Sequence, residues 1–229
     1  MTPNFIHPWN LSEKEALVLQ SDIARKVIKE DMLNDIRYVG GVDVAYDKHS
    51  DKLFSAVVIL DVNSLEVVET EIAEDTVQFP YIPGLFSFRE LPPIAKALQQ
   101  LSITPDVIIC DGHGLAHPRR AGLSCHLGVL FDVPTIGCGK ARLIGETAEI
   151  GIKRGDYAPL IDNKETIGNV LRTQDNIKPV YVSIGHRISL QTACNWVLKL
   201  SPNFRLPETT RRADQAVRKA LAKYHSCSP

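Results

Sequence analysis

The chain lacks an excess of charge of either sign. Its 229 residues include 26 Lys and Arg against 27 Asp and Glu, which leaves a net charge of −1 at pH 7. A protein with this balance has no global basic field, so binding to nucleic acid would have to rest on a local patch. We also expect weak non-specific affinity for DNA that falls further as salt is added.

Long hydrophobic runs are absent as well. The longest apolar stretches, such as AVVIL and VIIC, are far shorter than the roughly 20 residues that a membrane-spanning helix needs. The first residues, MTPNFIHPWNLSEKEA, contain no basic segment followed by an apolar one, so they predict no secretory signal. We therefore expect no membrane contact and a cytoplasmic location.

Paired cysteine motifs, repeats and linker-like segments are also missing. The five cysteines are odd in number and form no CxxC pair, while Cys110 and Cys138 lie in or beside apolar strand-like runs. These features favour reduced, mostly buried thiols. Because no segment reads as a linker, we expect a single domain over residues 1–229.

The order of the predicted elements indicates a mixed α/β fold. An apolar repeat at helical spacing predicts a first helix, and three alternating stretches joined by short turns predict antiparallel strands. Strands and helices then alternate, which is typical of parallel pairing through helical crossovers. This is the order of the ribonuclease H-like fold: a mixed sheet, three antiparallel then parallel strands, flanked by helices. We predict helices over 11–29, 94–101, 122–131, 190–200 and 208–224, and strands over 36–46, 52–61, 65–78, 105–112, 133–139 and 180–186.

Two acids lie at strand positions where carboxylates are uncommon. Asp43 is inside the strand GGVDVAY, where an unpaired buried charge is costly, and it shares a face with the small Ala45. Asp111 ends the run VIIC at the carboxyl end of a predicted parallel strand, where open α/β sheets bind ligands. Structural alternatives are a salt-bridged or edge-strand Asp43 and an Asp111-Gly112 turn.

A third acid, Glu90, has two interpretations. In Ser87-Phe-Arg-Glu90 it matches a capping box, in which it would bond only to the start of a helix. Against this, Pro92 and Pro93 would then lie beyond the first helical turn, where proline removes hydrogen bonds. The alternative is a functional carboxylate.

Together, the three acids predict a site for divalent metal. Mg²⁺ takes oxygen ligands and keeps several waters, and two such ions can activate water and stabilise a leaving oxygen in phosphodiester hydrolysis. Asp214 on the last predicted helix is a candidate fourth carboxylate, with a solvated helix face as its alternative. Lys140, just after a strand, either reaches a phosphate or is an ordinary surface lysine. The stretch HGLAHPRR is locally positive, which suits phosphate contacts, and its Gly and Pro residues argue against a helical zinc pair of His113 and His117.

A stiff loop precedes Glu90. In FPYIPGLFSFRE, Pro80 and Pro83 flank Tyr81, and each proline fixes φ and removes a backbone donor. This segment can therefore be neither a central strand nor a helix interior. The pattern indicates a rigid loop that presents an aromatic tip.

These residues resemble the endonuclease V family, the deoxyinosine-directed repair nucleases. The matching stretches run in order through most of the chain: GGVDVAY, PYIPGLFSFRE, DGHGLAHPRRAGLSCHLGV, PTIGCGK, ETIGNVLRT and PVYVSIGHRISL. The resemblance implies a ribonuclease H-like fold and the use of Mg²⁺, with Mn²⁺ as a substitute. It also implies hydrolysis of the second phosphodiester bond on the 3′ side of a deaminated adenine in DNA, with inosine in RNA as a substrate of some members.

The resemblance also assigns roles to particular residues. Tyr81 becomes a wedge that separates strands and stacks where the flipped base was, since an enzyme reading the edge of a base must take it out of the stack. Glycines near it let backbone groups approach that base. The implied metal ligands are Asp43, Glu90 and Asp111; Asp214 is a further acid of that site, Lys140 supports the scissile phosphate or the attacking water, and His117 lies in the same site; the implied base-binding residues are Pro80, Ile82, Pro83, Gly84, Leu85, Gly112 and Gly137.

Two other functions remain as hypotheses. One is a non-catalytic binder of deaminated strands, and the other is a ribonuclease H-like nuclease of different specificity, such as a junction resolvase. The residues do not separate DNA from RNA as the main substrate, because both present the same deaminated edge. We expect a monomer.

Overall fold

The computed structural model describes residues 1–227 and places them in five helices and eight strands. The helices are α1 (Glu13–Lys26), α2 (Ser87–Gln100), α3 (Leu123–Phe131), α4 (Leu190–Lys199) and α5 (Glu208–Cys227). The strands are β1 (Tyr38–Tyr46), β2 (Lys52–Asp61), β3 (Val67–Thr76), β4 (Val107–Cys110), β5 (Thr135–Gly139), β6 (Tyr157–Asp162), β7 (Glu165–Leu171) and β8 (Val180–His186).

All eight strands form one mixed sheet in the order β3-β2-β1-β4-β5-β8-β7-β6. The first three strands are antiparallel neighbours, whereas β4 pairs in parallel with both β1 and β5. The predicted order of antiparallel and then parallel strands is therefore confirmed. Because β1, β4 and β5 run in the same direction, their carboxyl ends meet at one edge of the sheet, where ligands bind in open α/β sheets.

Helices α2 and α5 cover opposite faces of the sheet. Successive side chains of a strand point to opposite faces, and β2 is apolar on both. Val57 and Ile59 pack in the cluster that contains the apolar side of α2, while Phe54 and Ala56 pack against Val217 of α5. The central strands thus carry a hydrophobic layer on each side, which makes the sheet a rigid platform.

Helix α5 approaches β1 closely because β1 contains Gly41. A Cβ atom at this position would clash with the carbonyl group and the side chain of Thr209, in the first turn of α5. Ala45, two pleats further along the same face, also packs in the cluster under α5. The small residues of β1 therefore set the distance between this strand and the helix that carries Asp214.

Helix α2 begins earlier than the sequence predicts. It starts at Ser87, so Pro92 and Pro93 lie inside it, although each lacks the N–H that a helix interior uses. The buried apolar side of α2 compensates for the missing bonds, since tertiary packing supplies most of the stability of a helix. The interpretation of Glu90 as part of a capping box is wrong. Phe86 is the N-cap residue and no side-chain hydrogen bond caps the helix, so Glu90 is available for other contacts.

The hairpin of β6 and β7 is absent from the sequence prediction. Its turn consists of Asn163 and Lys164, which both have positive φ, at 51° and 67°. Such turns favour glycine at the second position, so a lysine gives no turn signal. The alternating burial of Ala158 and Leu160 along β6 is the pattern that could have revealed the strand.

The side chains of Cys110, Cys125, Cys138 and Cys194 are buried free thiols, as expected. That of Cys227 lies outside the described part of the chain. None of the helices within residues 1–227 combines the length and apolar character that a membrane crossing requires.

Substituting Gly41 tests the close approach of α5 to the sheet. We expect Gly41→Ala to lower the free energy of unfolding by about 1–3 kcal/mol or more, because overpacking against backbone atoms cannot relax locally. Gly40→Ala is the matched control, since its Cβ would meet mainly movable side-chain atoms of Ile108 and Pro105 at 3.2 and 3.3 Å. Urea unfolding of both variants gives the comparison; equal losses would contradict this account of the packing.

Candidate active site

The edge formed by the carboxyl ends of β1, β4 and β5 collects three of the predicted site residues. Val42 of β1 is opposite Cys110 of β4, so the next residues, Asp43 and Asp111, are neighbours at that edge. Lys140 directly follows β5, and its ammonium group forms an ion pair with Oδ2 of Asp111. The parallel register therefore brings together residues as far apart in sequence as positions 43 and 140.

Glu90 reaches this edge from α2, and only 7% of its surface is exposed. The hydroxyl of Tyr46, the last residue of β1, donates a hydrogen bond of 3.1 Å to Oε1 of Glu90. The guanidinium of Arg89 lies over the Tyr46 ring, 5.1 Å from its centroid. Glu90 thus contacts the strand that carries Asp43, as the functional interpretation of this acid requires.

Asp214 approaches from α5, on the opposite face of the sheet from α2. Its Oδ1 accepts a hydrogen bond of 2.8 Å from Nε of Arg218, one turn further along the helix. The charge of Asp214 still acts on the sheet edge, because it contributes to the electrostatic environment of both Asp43 and Lys140. The structure therefore places this fourth acid within electrostatic reach of Asp43 and Lys140, with a partner of its own.

Two acids at this edge, Asp43 and Glu90, resist ionisation. Burial, followed by repulsion from Asp111, raises the pKa of Asp43 from its ordinary value near 3.8 to about 7. Burial also raises the pKa of Glu90 well above its usual range, and the charges of Asp43 and Asp111 add to that effect. For Lys140, burial favours the neutral amine, but the hydrogen bond and attraction of Asp111 outweigh it and raise the pKa. If all four acids were ionised, the edge would carry more negative charge than Lys140 neutralises.

This surplus of carboxylates over cationic side chains is chemically suited to binding a hard divalent cation. Carboxylate oxygens are the ligands that Mg²⁺ uses, and a cation would relieve the repulsion among the acids. Within residues 1–227, however, no three His, Cys, Asp or Glu side chains are arranged closely enough to hold a metal ion. One carboxylate oxygen of Asp111 instead forms an ion pair with Lys140. The donor set therefore suits Mg²⁺, while the ligand roles of Asp43, Glu90 and Asp111 stay predictions.

The proline loop forms one wall of a cavity of about 310 Å³ next to this edge. Tyr81 is 70% exposed, and its ring meets that of Phe86 edge-on at 6.5 Å. Residues 79–86 are neither helix nor strand, as predicted, whereas residues 87–90 of the same segment form the first turn of α2. The residues that line the cavity are Gln20, Tyr81, Ile82, Pro83, Gly84, Phe86, Ser87, Gly112, His113, His117, Gly122, Leu123 and Leu143.

Three residues predicted to bind a base lie outside this lining. Pro80 is exposed at the start of the loop, and Leu85 is buried in the cluster beneath it. Gly137 lies in β5, where a Cβ would clash with the backbone of Gly112 and Gly114. Leu85 and Gly137 therefore support the walls of the cavity from behind.

His117 lies in the cavity wall and is only 5% exposed. Burial, followed by repulsion from the neighbouring Arg119, lowers its pKa to about 4. The imidazole is therefore neutral near pH 7, and its Nδ1 accepts a hydrogen bond of 3.2 Å from the backbone N–H of Arg119. The ring also has a hydrogen bond with the backbone of Gly84, so its bonds are made within the cavity wall.

Sequence reasoning missed two residues of the site, Tyr46 and Gln20. Tyr46 ends the strand that carries Asp43, and a buried tyrosine usually finds a partner for its hydroxyl, which was the available signal. Gln20 lies on α1 and is 1% exposed. Nothing in the sequence around it distinguishes it from a polar residue on the outer face of an amphipathic helix.

Known proteins align with nearly all of this architecture. The model of the family described as endonuclease V matches residues 21–215. The chain belongs to the endonuclease V family. The resemblance and the ribonuclease H-like fold predicted from the sequence are thereby confirmed, and so is the class of enzyme, an endonuclease.

Individual endonuclease V proteins show how far the similarity extends. The protein of Rippkaea orientalis is 50% identical over 204 residues, which cover 89% of each chain. The crystal structure of endonuclease V from Streptomyces avermitilis aligns with a TM-score of 0.91 and 44% identity, over 98% of this chain and all of that one. That of Ciona intestinalis, solved with a 24mer DNA containing an inosine followed by a ribo-adenosine, aligns at 0.82 with 31% identity, over 92% and 98% of the two chains.

The raised pKa of Asp43 predicts how this protein loses stability in the absence of metal. The native state binds more protons than the unfolded state between about pH 3.8 and about pH 7, so stability falls as pH rises through this interval. Asp43→Asn removes that loss, and its melting temperature should exceed that of the unsubstituted chain more at pH 8 than at pH 5. Each 1 kcal/mol of relief corresponds to about 2–4 °C.

Thermal unfolding in a chelating buffer measures this difference. Asp22→Asn on α1 is the control, because Asp22 is an exposed acid paired only with Arg25. A melting difference for Asp43→Asn that is the same at both pH values would contradict the predicted ionisation.

Proposed function

We propose that this chain is a metal-dependent endonuclease that recognises deaminated adenine in nucleic acid and initiates DNA repair. It hydrolyses the second phosphodiester bond on the 3′ side of the inosine. The observation that carries the proposal is the cluster of desolvated acids at one sheet edge, next to a cavity walled by an exposed tyrosine loop. Relatives solved with inosine-containing DNA support the same substrate.

The acids account for the hydrolytic half of the proposal. Asp43, Glu90 and Asp111 would hold Mg²⁺, or Mn²⁺ in its place, through carboxylate oxygens, and Asp214 would add a further acid. When bound, the ion would activate water and stabilise the leaving oxygen. Lys140, a cation at the same edge, would support the scissile phosphate or the attacking water through its point charge. The pairing of Lys140 with Asp111 keeps that ammonium protonated and in place before the substrate arrives.

The cavity accounts for recognition. An enzyme that reads the edge of a base must extrude it, which costs a few kcal/mol and less when the base is mispaired. Tyr81 is exposed on a loop stiffened by Pro80 and Pro83, so its ring can stack in the vacated place without a large loss of entropy. His117 is neutral and lies in the cavity wall, where its hydrogen bonds to the backbone of Arg119 and Gly84 would help to hold that wall beside the base.

The proposal also specifies the nucleic acid that is bound and the oligomeric state of the protein. The partner is DNA that contains deoxyinosine, with inosine-containing RNA as a second substrate, and the working unit is a monomer with one domain over residues 1–229. Residues 228 and 229 of that domain lie outside the described part of the chain. A side-by-side cleavage assay on DNA and RNA strands with a single inosine separates the two substrates.

Substituting Asp43 tests the hydrolytic role. In Mg²⁺, the unsubstituted chain should cut an oligonucleotide with one inosine, and Asp43→Ala should reduce the rate on the order of 1,000-fold or more, because it removes a ligand worth several kcal/mol. Gel analysis of end-labelled strands gives the rate and the bond that is cut. Asp22→Ala, an exposed acid of α1, serves as the control.

Other outcomes of that assay would favour the other functions. Equal cleavage by both proteins would remove Asp43 from catalysis. Tight binding that leaves the strands intact in Mg²⁺ would indicate a non-catalytic binder. Cleavage that ignores inosine would indicate a nuclease of another specificity.

Substituting Tyr81 tests recognition separately from hydrolysis. Tyr81→Ala should lower the preference for inosine over adenosine, measured as the ratio of kcat/KM values, by about 5- to 150-fold, since stacking is worth about 1–3 kcal/mol per base. The rise in melting temperature on adding Mg²⁺ should persist, because the acids are unchanged. Tyr157→Ala is the matched control, a tyrosine 55% exposed on the distant edge strand β6. An unaltered preference in Tyr81→Ala would count against the wedge.

A further inference from the structure

The carbonyl oxygen of Gly84 is held by two side chains that come from different parts of the fold. Nε2 of Gln20, on α1, donates a hydrogen bond of 2.8 Å to it, and Nη2 of Arg119 donates another of 2.7 Å. The His117 ring also has a hydrogen bond with the backbone of Gly84. Gly84 closes the loop that carries Tyr81, so these contacts act on the loop where it returns to the body of the protein.

Gln20 is fully committed to this part of the structure. The same Nε2 donates a second hydrogen bond of 2.8 Å to the carbonyl of Ala121, and Oε1 accepts one from Nε of Arg119. Gly84 and Ala121 belong to two separate segments of the cavity wall, the second of which lines it through the neighbouring Gly122. Because Gln20 is 1% exposed, its bonds are shielded from bulk solvent, and one side chain ties the two segments together.

We call the hydrogen bonds of Gln20 and Arg119 to the carbonyl oxygen of Gly84 the clamp. The backbone conformation of Gly84 allows these contacts. Its φ of 81° is strained for residues with a Cβ, and a Cβ there would lie 2.5 Å from Nη2 of Arg119. The glycine thus allows the guanidinium to reach the carbonyl. The outer end of the loop has no comparable support, because Tyr81 is 70% exposed.

We infer that Gln20 and Arg119 are positioning residues that fix the Tyr81 loop relative to the segment of Ala121 in the cavity wall and so determine how selectively the site takes a deaminated base. The inference rests on the proposed function, whose cavity it concerns. Gln20 precedes the segment 21–215 that matches the family model, and Arg119 lies inside it. Neither residue touches the acids at the sheet edge in this arrangement; both act through the loop.

Two variants remove the clamp in different ways. Gln20→Met keeps the length of the side chain and deletes its three hydrogen bonds, while Arg119→Met leaves α1 unchanged and deletes the second donor to Gly84. The control is Ser55→Ala, which removes another buried side-chain bond to a backbone carbonyl, that of Pro93. We expect each clamp variant to lower the inosine preference about tenfold, and the control to leave it unchanged.

Hydrogen–deuterium exchange gives a readout that needs no substrate. The amides of residues 81–86, apart from Pro83, which has no N–H, should exchange faster in both clamp variants and at the ordinary rate in Ser55→Ala. In a Tyr81→Ala background, Gln20→Met should cause no further loss of preference, because the clamp acts through that ring. A merely structural glutamine would lower the melting temperature and leave all three measurements unchanged.

The outcomes separate the inference from the function on which it rests. Preserved preference and preserved exchange in Gln20→Met and Arg119→Met would overturn the inference while the proposed function stands. Additive losses in the Tyr81→Ala background would also overturn it. If the unsubstituted chain itself fails to prefer inosine, the proposed function and the selectivity part of the inference fall together, and faster exchange in the variants would still establish the clamp on the loop.

Discussion

Repulsion among partly desolvated carboxylates is the constraint around which the rest of this site is arranged. Asp43 and Asp111 are neighbours because β1 and β4 run in parallel and in register, and the sheet cannot separate them without losing its pairing. Burial and proximity raise the pKa of Asp43 and of Glu90. The fold tolerates this cost because hydrophobic layers on both faces of the sheet hold the strands together. Such stored repulsion is what a bound cation would relieve.

The surrounding elements offset the repulsion only in part, and each does so with a polar group at a strand or helix end. Tyr46, at the end of β1, donates a hydrogen bond to Glu90. Lys140, directly after β5, forms an ion pair with Asp111. Arg218 forms an ion pair with Asp214 on α5. These partners satisfy individual oxygens, but they include fewer cations than there are acids. The cavity and its tyrosine loop lie beside this edge, so under the proposed function recognition and hydrolysis would use separate parts of one surface.

Local patterns predicted the elements that build the site, and they failed where tertiary packing overrides local preference. The strands β1 to β5 show alternating or continuous apolar residues between turn signals, and such signals need no knowledge of distant segments. The predicted start of α2 was wrong because Pro92 and Pro93 normally indicate a helix boundary. In the structure, burial of the helix stabilises both prolines inside it. The hairpin of β6 and β7 was missed because Lys164 carries a positive φ without being glycine.

By itself, the sequence determined the fold class and the family, and it predicted which residues bear the chemistry, because charges inside apolar runs and a tyrosine between prolines have physical causes visible in the chain. Only the tertiary structure decided that Glu90 bonds Tyr46 and does not cap a helix, and that Lys140 lies on Asp111. It alone brought Gln20 to Gly84, 64 positions away. Contacts of this kind depend on register and helix packing, which are set by the summed burial of many residues and by no local pattern.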